Sequence, residues 1–244
     1  MVKKPRCKTG IKNLDAELHG GIPIGNTVLV SGASGVGKTT FSMQFLTNGV
    51  RENEKGVFFT SSESVDMLKK HQNGFDYFDP KMVKSGQLTI LDIWNISDRL
   101  GLNPLRYTAE EAYVLFEVIR DIVKEIGAKR LVIDSMTSLC YRLPSVEMIR
   151  DFIFTLGSHL SAMRCTTVLT SEIPPMKYRF SQNDVEEFIS DGIIFMGDKE
   201  RGGDLIRTLQ IIKMRGIAHG RNKYMLNISA QNGIELAPLF KSSL

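Results

Sequence analysis

The sequence contains the stretch Gly32-Ala33-Ser34-Gly35-Val36-Gly37-Lys38-Thr39, which matches the pattern G-x-x-x-x-G-K-[ST]. It lies between an apolar run, Asn26–Ser31, and a segment of helical spacing that starts at Lys38. Glycines allow the backbone N–H groups of such a loop to point inward, and the N-terminus of the following helix favours anions. The stretch therefore predicts a phosphate-binding loop rather than a glycine-rich turn with a surface lysine.

The polar groups of this loop predict what it binds. Lys38 would reach the β- and γ-phosphates of a nucleoside triphosphate, and the Thr39 hydroxyl would ligate Mg²⁺. A chance match in a chain of this length is on the order of one in a hundred before the strand and helix context is considered. We expect ATP and Mg²⁺ as ligands, with the nucleotide held by Ser34, Gly35, Val36, Gly37, Lys38, Thr39 and Thr40.

A second acidic group is needed to hold the metal, and the run Arg130–Asp134 (RLVID) supplies one at the end of an apolar strand. We expect this strand to lie beside the strand that precedes the phosphate loop, with Asp134 facing Mg²⁺. Asp134 and Ser135 also suit a helix N-cap or a turn at a strand end, so the pair alone is ambiguous. Its combination with the phosphate loop favours a metal ligand.

Apolar runs of strand length alternate with helical patterns along the chain, which is typical of a parallel sheet covered by helices. The last third has strand patterns without long helices between them and predicts antiparallel strands. We expect one α/β domain spanning residues 1–244. Its strands are Asn26–Ser31, Gly56–Ser61, Gln87–Ile93, Arg130–Asp134, Thr166–Ser171, Gly192–Met196, Leu205–Lys213 and Lys223–Ile228, and its helices are Lys38–Arg51, Ser64–Gln72, Ala109–Ile126 and Val146–Met163.

Composition narrows the class of protein. A hydrophobic fraction of 42% and a charged fraction of 24% are ordinary for a soluble globular chain, and no run is long enough to span a membrane. The basic start is followed by no apolar signal segment, and Cys7, Cys140 and Cys165 lack paired spacing, so we expect reduced packing thiols in the cytoplasm. The net charge of +4 gives little support to nucleic-acid binding.

Further segments resemble, in the expected order, the signatures of one family. Thr9–Asp15 with Gly20–Pro23 resembles its entry segment, and Val185–Gly192 and Lys213–Gly216 resemble two later signatures. The chain is similar over nearly its whole length to the KaiC-like branch of the RecA/RadA superfamily. The resemblance implies a RecA-type P-loop NTPase core with a mostly parallel central sheet flanked by helices and antiparallel C-terminal strands.

The resemblance also implies a homo-oligomer, either a filament or a ring such as a hexamer, with ATP between neighbouring subunits. Lys213 and Arg215 would approach the γ-phosphate from the next subunit and stabilise developing charge. Without the family context both are ordinary surface cations at a strand end. His219 would contact the nucleotide region through packing or hydrogen bonding rather than chemistry, and further protein partners are compatible with such an assembly.

Two acidic residues complete the predicted site. Many relatives carry adjacent glutamates after the second strand as catalytic base, but here the first falls on Ser62 and the second on Glu63. Serine is no general base at neutral pH, so hydrolysis is expected to be slow, with Glu63 as the candidate base or else a solvated loop acid. Glu172 stands where the superfamily places a γ-phosphate sensor, although a strand-end loop acid is equally typical there.

The segment Ile173–Asp184 is the predicted mobile loop, and Lys177, Tyr178, Arg179 and Phe180 would suit single-stranded DNA. One basic-aromatic tetrad is weak support, so DNA is a less favoured partner. Three functions remain open. The first is a slow Mg²⁺-dependent ATPase acting as an oligomeric switch, the second an ATP-bound scaffold or regulator that does not hydrolyse, and the third a RadA-like, recombinase-related ATPase.

Overall fold

The computed structural model describes residues 5–103, 105–175, 179–182 and 185–239. Its strands are β1 (Arg6–Cys7), β2 (Ile22–Pro23), β3 (Thr27–Gly32), β4 (Gly56–Thr60), β5 (Leu88–Asp92), β6 (Arg130–Asp134), β7 (Thr166–Glu172), β8 (Gly192–Arg201), β9 (Asp204–Met214), β10 (Lys223–Ser229) and β11 (Gly233–Pro238). Its helices are α1 (Lys12–Glu17), α2 (Lys38–Arg51), α3 (Val65–Gln72), α4 (Pro80–Lys84), α5 (Ile93–Arg99), α6 (Ala109–Ile126), α7 (Met136–Cys140), α8 (Val146–Ala162) and α9 (Glu186–Ile189).

One large sheet organises these elements. Among the described residues, nine strands follow the order β11-β10-β9-β8-β3-β7-β6-β4-β5, and β1 pairs with β2 in a separate small sheet. The strands from β8 to β5 are parallel, whereas β9, β10 and β11 continue the sheet in antiparallel pairs. The predicted fold class, a mostly parallel sheet with antiparallel C-terminal strands, is confirmed.

The predicted neighbour of the phosphate-loop strand is wrong. We expected β6, which ends in Asp134, beside β3, but β7 lies between them and pairs with both. All three strands are buried along almost their whole length, so their apolar patterns are alike. Hydrophobicity therefore predicts that these strands are central without predicting their order.

Two apolar layers cover the faces of the sheet. Successive side chains of β3 point to opposite faces of the sheet. Val28 and Val30 therefore pack in the layer that contains α2, and Leu29 packs in the layer of α6 and α8. The longest helix, α6, starts with a capping box between Thr108 and Glu111. In the part of the chain that the structure describes, no helix combines the length and apolarity needed to cross a bilayer.

The three cysteines belong to these layers, as predicted. Cys7, Cys140 and Cys165 are buried and free of disulfides. Burial raises the pKa of Cys7 and of Cys165 to about 12, so both thiols stay protonated at neutral pH. They act as small apolar side chains.

A buried arginine fixes α2 against the sheet. Arg130, at the start of β6, has a side chain with 0% exposure and is paired with Glu54 at 2.7 Å. Its Nη1 donates to the Phe45 carbonyl of α2 at 2.7 Å, and the guanidinium lies 4.9 Å from the Phe45 ring centre. Gly49, one turn further along α2, leaves the space for this guanidinium. The helix that begins at the phosphate loop is thereby locked to β6.

We predict that Gly49→Ala destabilises the fold. Alanine is the better helix former by about 1 kcal/mol. Its Cβ would nevertheless lie 2.4 Å from Cδ and Nε of Arg130, which its buried partners prevent from moving aside. We expect a net loss of about 1–3 kcal/mol in the free energy of unfolding, read from the urea midpoint.

The matched control is Gly74→Ala, whose added Cβ meets its nearest neighbour atom, the His71 carbonyl oxygen, at an ordinary 3.6 Å. Its midpoint should not fall. An unchanged midpoint for Gly49→Ala would contradict the assignment of Gly49 to the packing of Arg130.

Candidate functional site

The phosphate-loop sequence connects the carboxyl end of β3 to the N-terminus of α2. Gly35 and Gly37 have φ values of +83° and +104°, which side-chain-bearing residues rarely adopt. A Cβ on Gly37 would also lie 2.5 Å from the Ile228 side chain of β10. Val36 is buried in the core, whereas Ser34 and Gly35 are exposed at the tip of the loop. The loop is therefore anchored in its middle and open at its tip.

Lys38 is a buried cation at the base of this loop. It is 6% exposed, and its Nζ donates to the carbonyls of Gly32 and Ala33 at 3.0 and 2.9 Å. Burial lowers the pKa of Lys38, while the nearby carboxylates of Glu172 and Asp134 oppose this shift. No carboxylate of the described residues forms an ion pair with it. An anionic ligand in the loop would compensate this charge.

A hydroxyl and a carboxylate meet where the metal ligands were predicted. Thr39 Oγ1 donates to Asp134 Oδ2 at 2.6 Å, and Thr170 Oγ1 donates to Asp134 Oδ1 at the same distance. Both oxygens of the carboxylate are thus oriented, and these hard oxygen donors suit Mg²⁺. Thr40, the next residue of α2, is half-buried. The donor set fits the metal complex of a polyphosphate.

Thr170 and Thr137 are the residues of this site that sequence reasoning missed. The Thr137 hydroxyl accepts a hydrogen bond from the Glu172 backbone N–H at 2.8 Å and contacts the Ser171 hydroxyl at 3.3 Å. Thr170 and Glu172 belong to β7, whereas Thr137 belongs to α7. The available signal was the pair of polar residues at the carboxyl end of an apolar strand, Thr170 and Ser171, before Glu172.

Glu172 lies next to the phosphate loop. In the pairing of β3 with β7 it stands opposite Gly32, the first residue of the loop, and its side chain is exposed. Its charge acts on Lys38. The structure therefore places Glu172 at the same edge of the sheet as Asp134 and Lys38.

Glu63 is turned towards α3. Its Oε2 lies 3.0 Å from His71 Nδ1, and its backbone carbonyl accepts from Thr60 Oγ1 at 2.8 Å. Thr60 is the register partner of Asp134, so the segment starts at the correct edge of the sheet. Ser62, the residue before Glu63, is exposed. The one carboxylate of this turn is paired with a histidine.

Lys213 and Arg215 lie at the opposite edge of the sheet. Met214 pairs with Gly192, and Gly192 pairs with Val28 near the amino end of β3. The phosphate loop starts at the other end of this six-residue strand, about 17 Å away at roughly 3.3 Å per residue. Within one chain, therefore, these cations do not reach the phosphate loop.

His219 follows β9 at that same distant edge. Its Nδ1 donates to the Gly220 carbonyl at 2.8 Å, and the residue is half-buried. The neighbouring Ala218 carbonyl lies 2.8 Å from His19 Nε2. Like Lys213 and Arg215, His219 is separated from the phosphate loop of its own chain.

The segment after Glu172 contains the basic-aromatic tetrad that was considered for binding single-stranded DNA. Lys177 and Tyr178 lie outside the described residues. Phe180 packs edge-on against Phe195, with ring centres 5.8 Å apart, and joins the apolar layer of α6 and α8. Its ring therefore packs against β8, which lessens the weak support that this residue gave to DNA binding. The sequence pattern could not reveal this because Phe195 is 15 residues distant.

Comparison with known proteins places this architecture in a family. Residues 7–240 match the family model described as "ATPase: KaiC". A UPF0273 protein of Thermotoga maritima is 36% identical over 242 residues, which cover 96% of each chain. The circadian clock oscillator protein KaiC of Synechococcus elongatus is 35% identical over 96% of this chain, but the chain spans only 44% of that protein.

A solved structure agrees in sequence and in fold. The KaiC-like protein of Pyrococcus horikoshii matches with a TM-score of 0.82 and 36% identity over 96% of this chain and 99% of the other. The resemblance drawn from the motifs is confirmed by a family match over almost the whole chain. The chain belongs to the KaiC family of ATPases.

Proposed function

We propose that this chain is a slow Mg²⁺-dependent ATPase whose residues 1–244 form one ATP-binding domain and assemble into a homo-oligomeric ring such as a hexamer. ATP would bind at the interface, on the phosphate loop of one subunit and against the basic residues of the next. The observation that carries the proposal is the placement of these two groups at opposite ends of β3. One chain holds the phosphate loop and the basic residues apart, which supports a site that a second copy completes.

The phosphate half of the site would be supplied by the loop, Lys38, Thr39 and Asp134. The loop N–H groups and Lys38 would hold the β- and γ-phosphates, which would give the buried cation the ion-pair partner that the described residues do not supply. Mg²⁺, held through the oxygens of Thr39 and Asp134, would neutralise charge that develops on the transferred phosphoryl group. Glu172 would sense that group from the end of β7.

Hydrolysis of ATP forms a bond between a water oxygen and the γ-phosphorus and breaks the bond to the bridging oxygen, so that ADP leaves with the electron pair. A base takes the proton of the attacking water. Glu63 is the candidate base, but its Oε2 is already engaged with His71 Nδ1 at 3.0 Å. This engagement, together with Ser62, is the physical reason to expect slow turnover.

The second half of the site would be the neighbour's Lys213 and Arg215. Cations that approach the γ-phosphate from another subunit stabilise the transition state more than the ground state. The Arg215 side chain is 57% exposed, so it is accessible to a second copy of the chain. His219 would pack at the same interface.

A second candidate function is an ATP-bound scaffold or regulator without useful turnover. The observations that favour it are the exposed Ser62 and the pairing of Glu63 with His71. In that case ATP would join the subunits and changes of nucleotide would switch the assembly. Phosphate release by the purified protein distinguishes the two, since the scaffold binds ATP without releasing phosphate above a blank.

We predict that Lys38→Met abolishes binding of Mg²⁺–ATP without lowering the stability of the free protein. The methionine keeps the buried aliphatic chain and removes the desolvated charge, so the nucleotide-free melting temperature should stay or rise. ATP at about 100 times its Kd stabilises a binding protein by about 2.7 kcal/mol, and this shift should vanish. Differential scanning fluorimetry with and without Mg²⁺–ATP measures both effects.

The control for that experiment is Lys12→Met, which removes an exposed lysine of α1 and should keep the full ATP-dependent shift. If ATP raised the melting temperature of Lys38→Met by as much as it raises that of the unmodified protein, the assignment of the phosphate loop would be refuted.

We predict that Arg215→Ala lowers kcat by roughly 10³-fold while the affinity for ATP changes little. The guanidinium would act only on the transition state of a neighbour's nucleotide, so ground-state binding does not need it. Phosphate release and equilibrium binding of a fluorescent ATP analogue give the two quantities. Arg150→Ala, which removes an exposed arginine beside Arg215, is the control, and equal kcat values for the two variants would remove Arg215 from the site.

A further inference from the structure

Lys213 and Arg215 are not free surface cations but are seated on the end of α9. Lys213 Nζ donates to the carbonyls of Glu187 and Ser190 at 3.0 and 2.6 Å. Arg215 Nη2 donates to the Phe188 carbonyl at 3.4 Å. Carbonyls at a helix end lack helical donors and accept readily from cations. The four-residue helix α9 thus offers both cations a cradle of carbonyl oxygens.

Asp191, directly after this cradle, connects Arg215 to β3. Its Oδ2 accepts from the Thr27 backbone N–H at 3.0 Å, and its Oδ1 lies 3.5 Å from Arg215 Nη1. Its backbone is equally engaged, because its N–H donates to the Thr27 carbonyl and its carbonyl accepts from the Arg215 N–H, both at 2.8 Å. One carboxylate therefore bridges the first residue of β3 and the guanidinium.

The two arms of this bridge differ in strength. The arm to Thr27 is a hydrogen bond from a backbone N–H to a charged acceptor, which holds Asp191 in place. The arm to Arg215 is long, and that side chain is 57% exposed, so water screens the pair. Asp191 thus orients Arg215 while the guanidinium stays accessible to another subunit.

Asp191 also acts on Lys213. Burial and the neighbouring Arg215 lower the pKa of Lys213, while the carboxylates of Asp191 and Glu187 raise it. Two cations held side by side repel each other, and the charge of Asp191 offsets this repulsion. Removal of that charge would loosen both cations at once.

We propose that Asp191 is a positioning residue, which holds Arg215 and Lys213 in the geometry that a neighbouring subunit's ATP requires. The inference rests on the proposed function, since only a shared site gives these cations a phosphate to meet. It also ties the basic half of the site to Thr27, the first residue of the strand that ends in the subunit's own phosphate loop. Asp191 itself does not touch the nucleotide.

The test is Asp191→Asn, whose amide oxygen still accepts from the Thr27 N–H but carries no charge. We expect kcat to fall by at least about tenfold, which corresponds to roughly 1.4 kcal/mol of transition-state stabilisation, with ATP affinity unchanged within about twofold. Asp151→Asn is the matched control, since Asp151 lies on the same face but is not hydrogen bonded to Arg215. It should retain normal turnover.

Mixing of subunits separates positioning from a general loss of structure. Lys38→Met subunits have a defective phosphate loop and intact cations, whereas Asp191→Asn subunits have the reverse. In rings assembled from equal amounts of both, roughly one quarter of the interfaces would join two intact halves if mixing is random. The mixture should therefore turn over ATP faster than either parent, as should the reference mixture of Lys38→Met with Arg215→Ala.

The outcomes distinguish the two claims. Absence of recovery in the reference mixture would refute the shared site itself. If the reference mixture recovers, two results would overturn the role of Asp191 only. The first is normal turnover of Asp191→Asn alone, and the second is a defect of Asp191→Asn that Lys38→Met subunits fail to rescue. If Asp191→Asn shows no cooperative melting transition, Asp191→Glu, which keeps the charge but displaces the guanidinium, replaces it under the same criteria.

Discussion

The pairing of β3 with β7 on one side and with β8 on the other determines how far the phosphate loop lies from the basic residues of β9. At its carboxyl end, β3 opens into the phosphate loop beside Glu172 of β7. At its amino end, Thr27 is bonded to Asp191, which faces Arg215. A strand embedded between two neighbours cannot shorten, so these two ends stay about 17 Å apart. Under the proposed function, these two ends are complementary half-sites that a second copy of the chain would bring together.

Two buried cations, Arg130 and Lys38, differ in how their charge is compensated. Arg130 is fully buried, and its charge is compensated by Glu54 and by main-chain carbonyls. We therefore assign it a structural role. Lys38 is nearly as buried, but its Nζ donates to the two carbonyls of its own loop and forms no ion pair within the described part of the chain. Its desolvation is a standing cost to the free protein, and a triphosphate would relieve it. The incomplete compensation of Lys38 supports its proposed role in binding the triphosphate.

The sequence predicted the parts of this molecule that depend on local pattern. The phosphate loop follows from its glycine spacing, α2 and α6 from apolar periodicity over 14 and 18 residues, and the buried parallel strands from continuous apolar runs. The insertion of β7 between β3 and β6 was missed, because three strands of equal apolarity carry no record of their order. Short helices such as α7 and α9 were also missed, since five and four residues have no measurable period.

The candidate site divides in the same way. Lys38, Thr39 and Asp134 were recognised by their places in motifs, whereas Thr170 contributes through one contact that forms only when β6 and β7 are paired. The opposite case is Phe180, where an aromatic residue in a basic segment suggested a surface role. Its ring packs against Phe195 of β8, a contact that the local sequence pattern does not predict. The bridge from Thr27 through Asp191 to Arg215 is likewise visible only in the folded chain.

Membership of the KaiC family establishes the class of protein, and the sharing of the ATP site between copies is the central claim about its action. The most direct measurement is a structure of the assembled protein with Mg²⁺ and a non-hydrolysable ATP analogue. The account predicts the analogue on the phosphate loop of one subunit, with the guanidinium of Arg215 of the partner subunit at the γ-phosphate. An analogue bound at the loop with no second subunit against its γ-phosphate would contradict it.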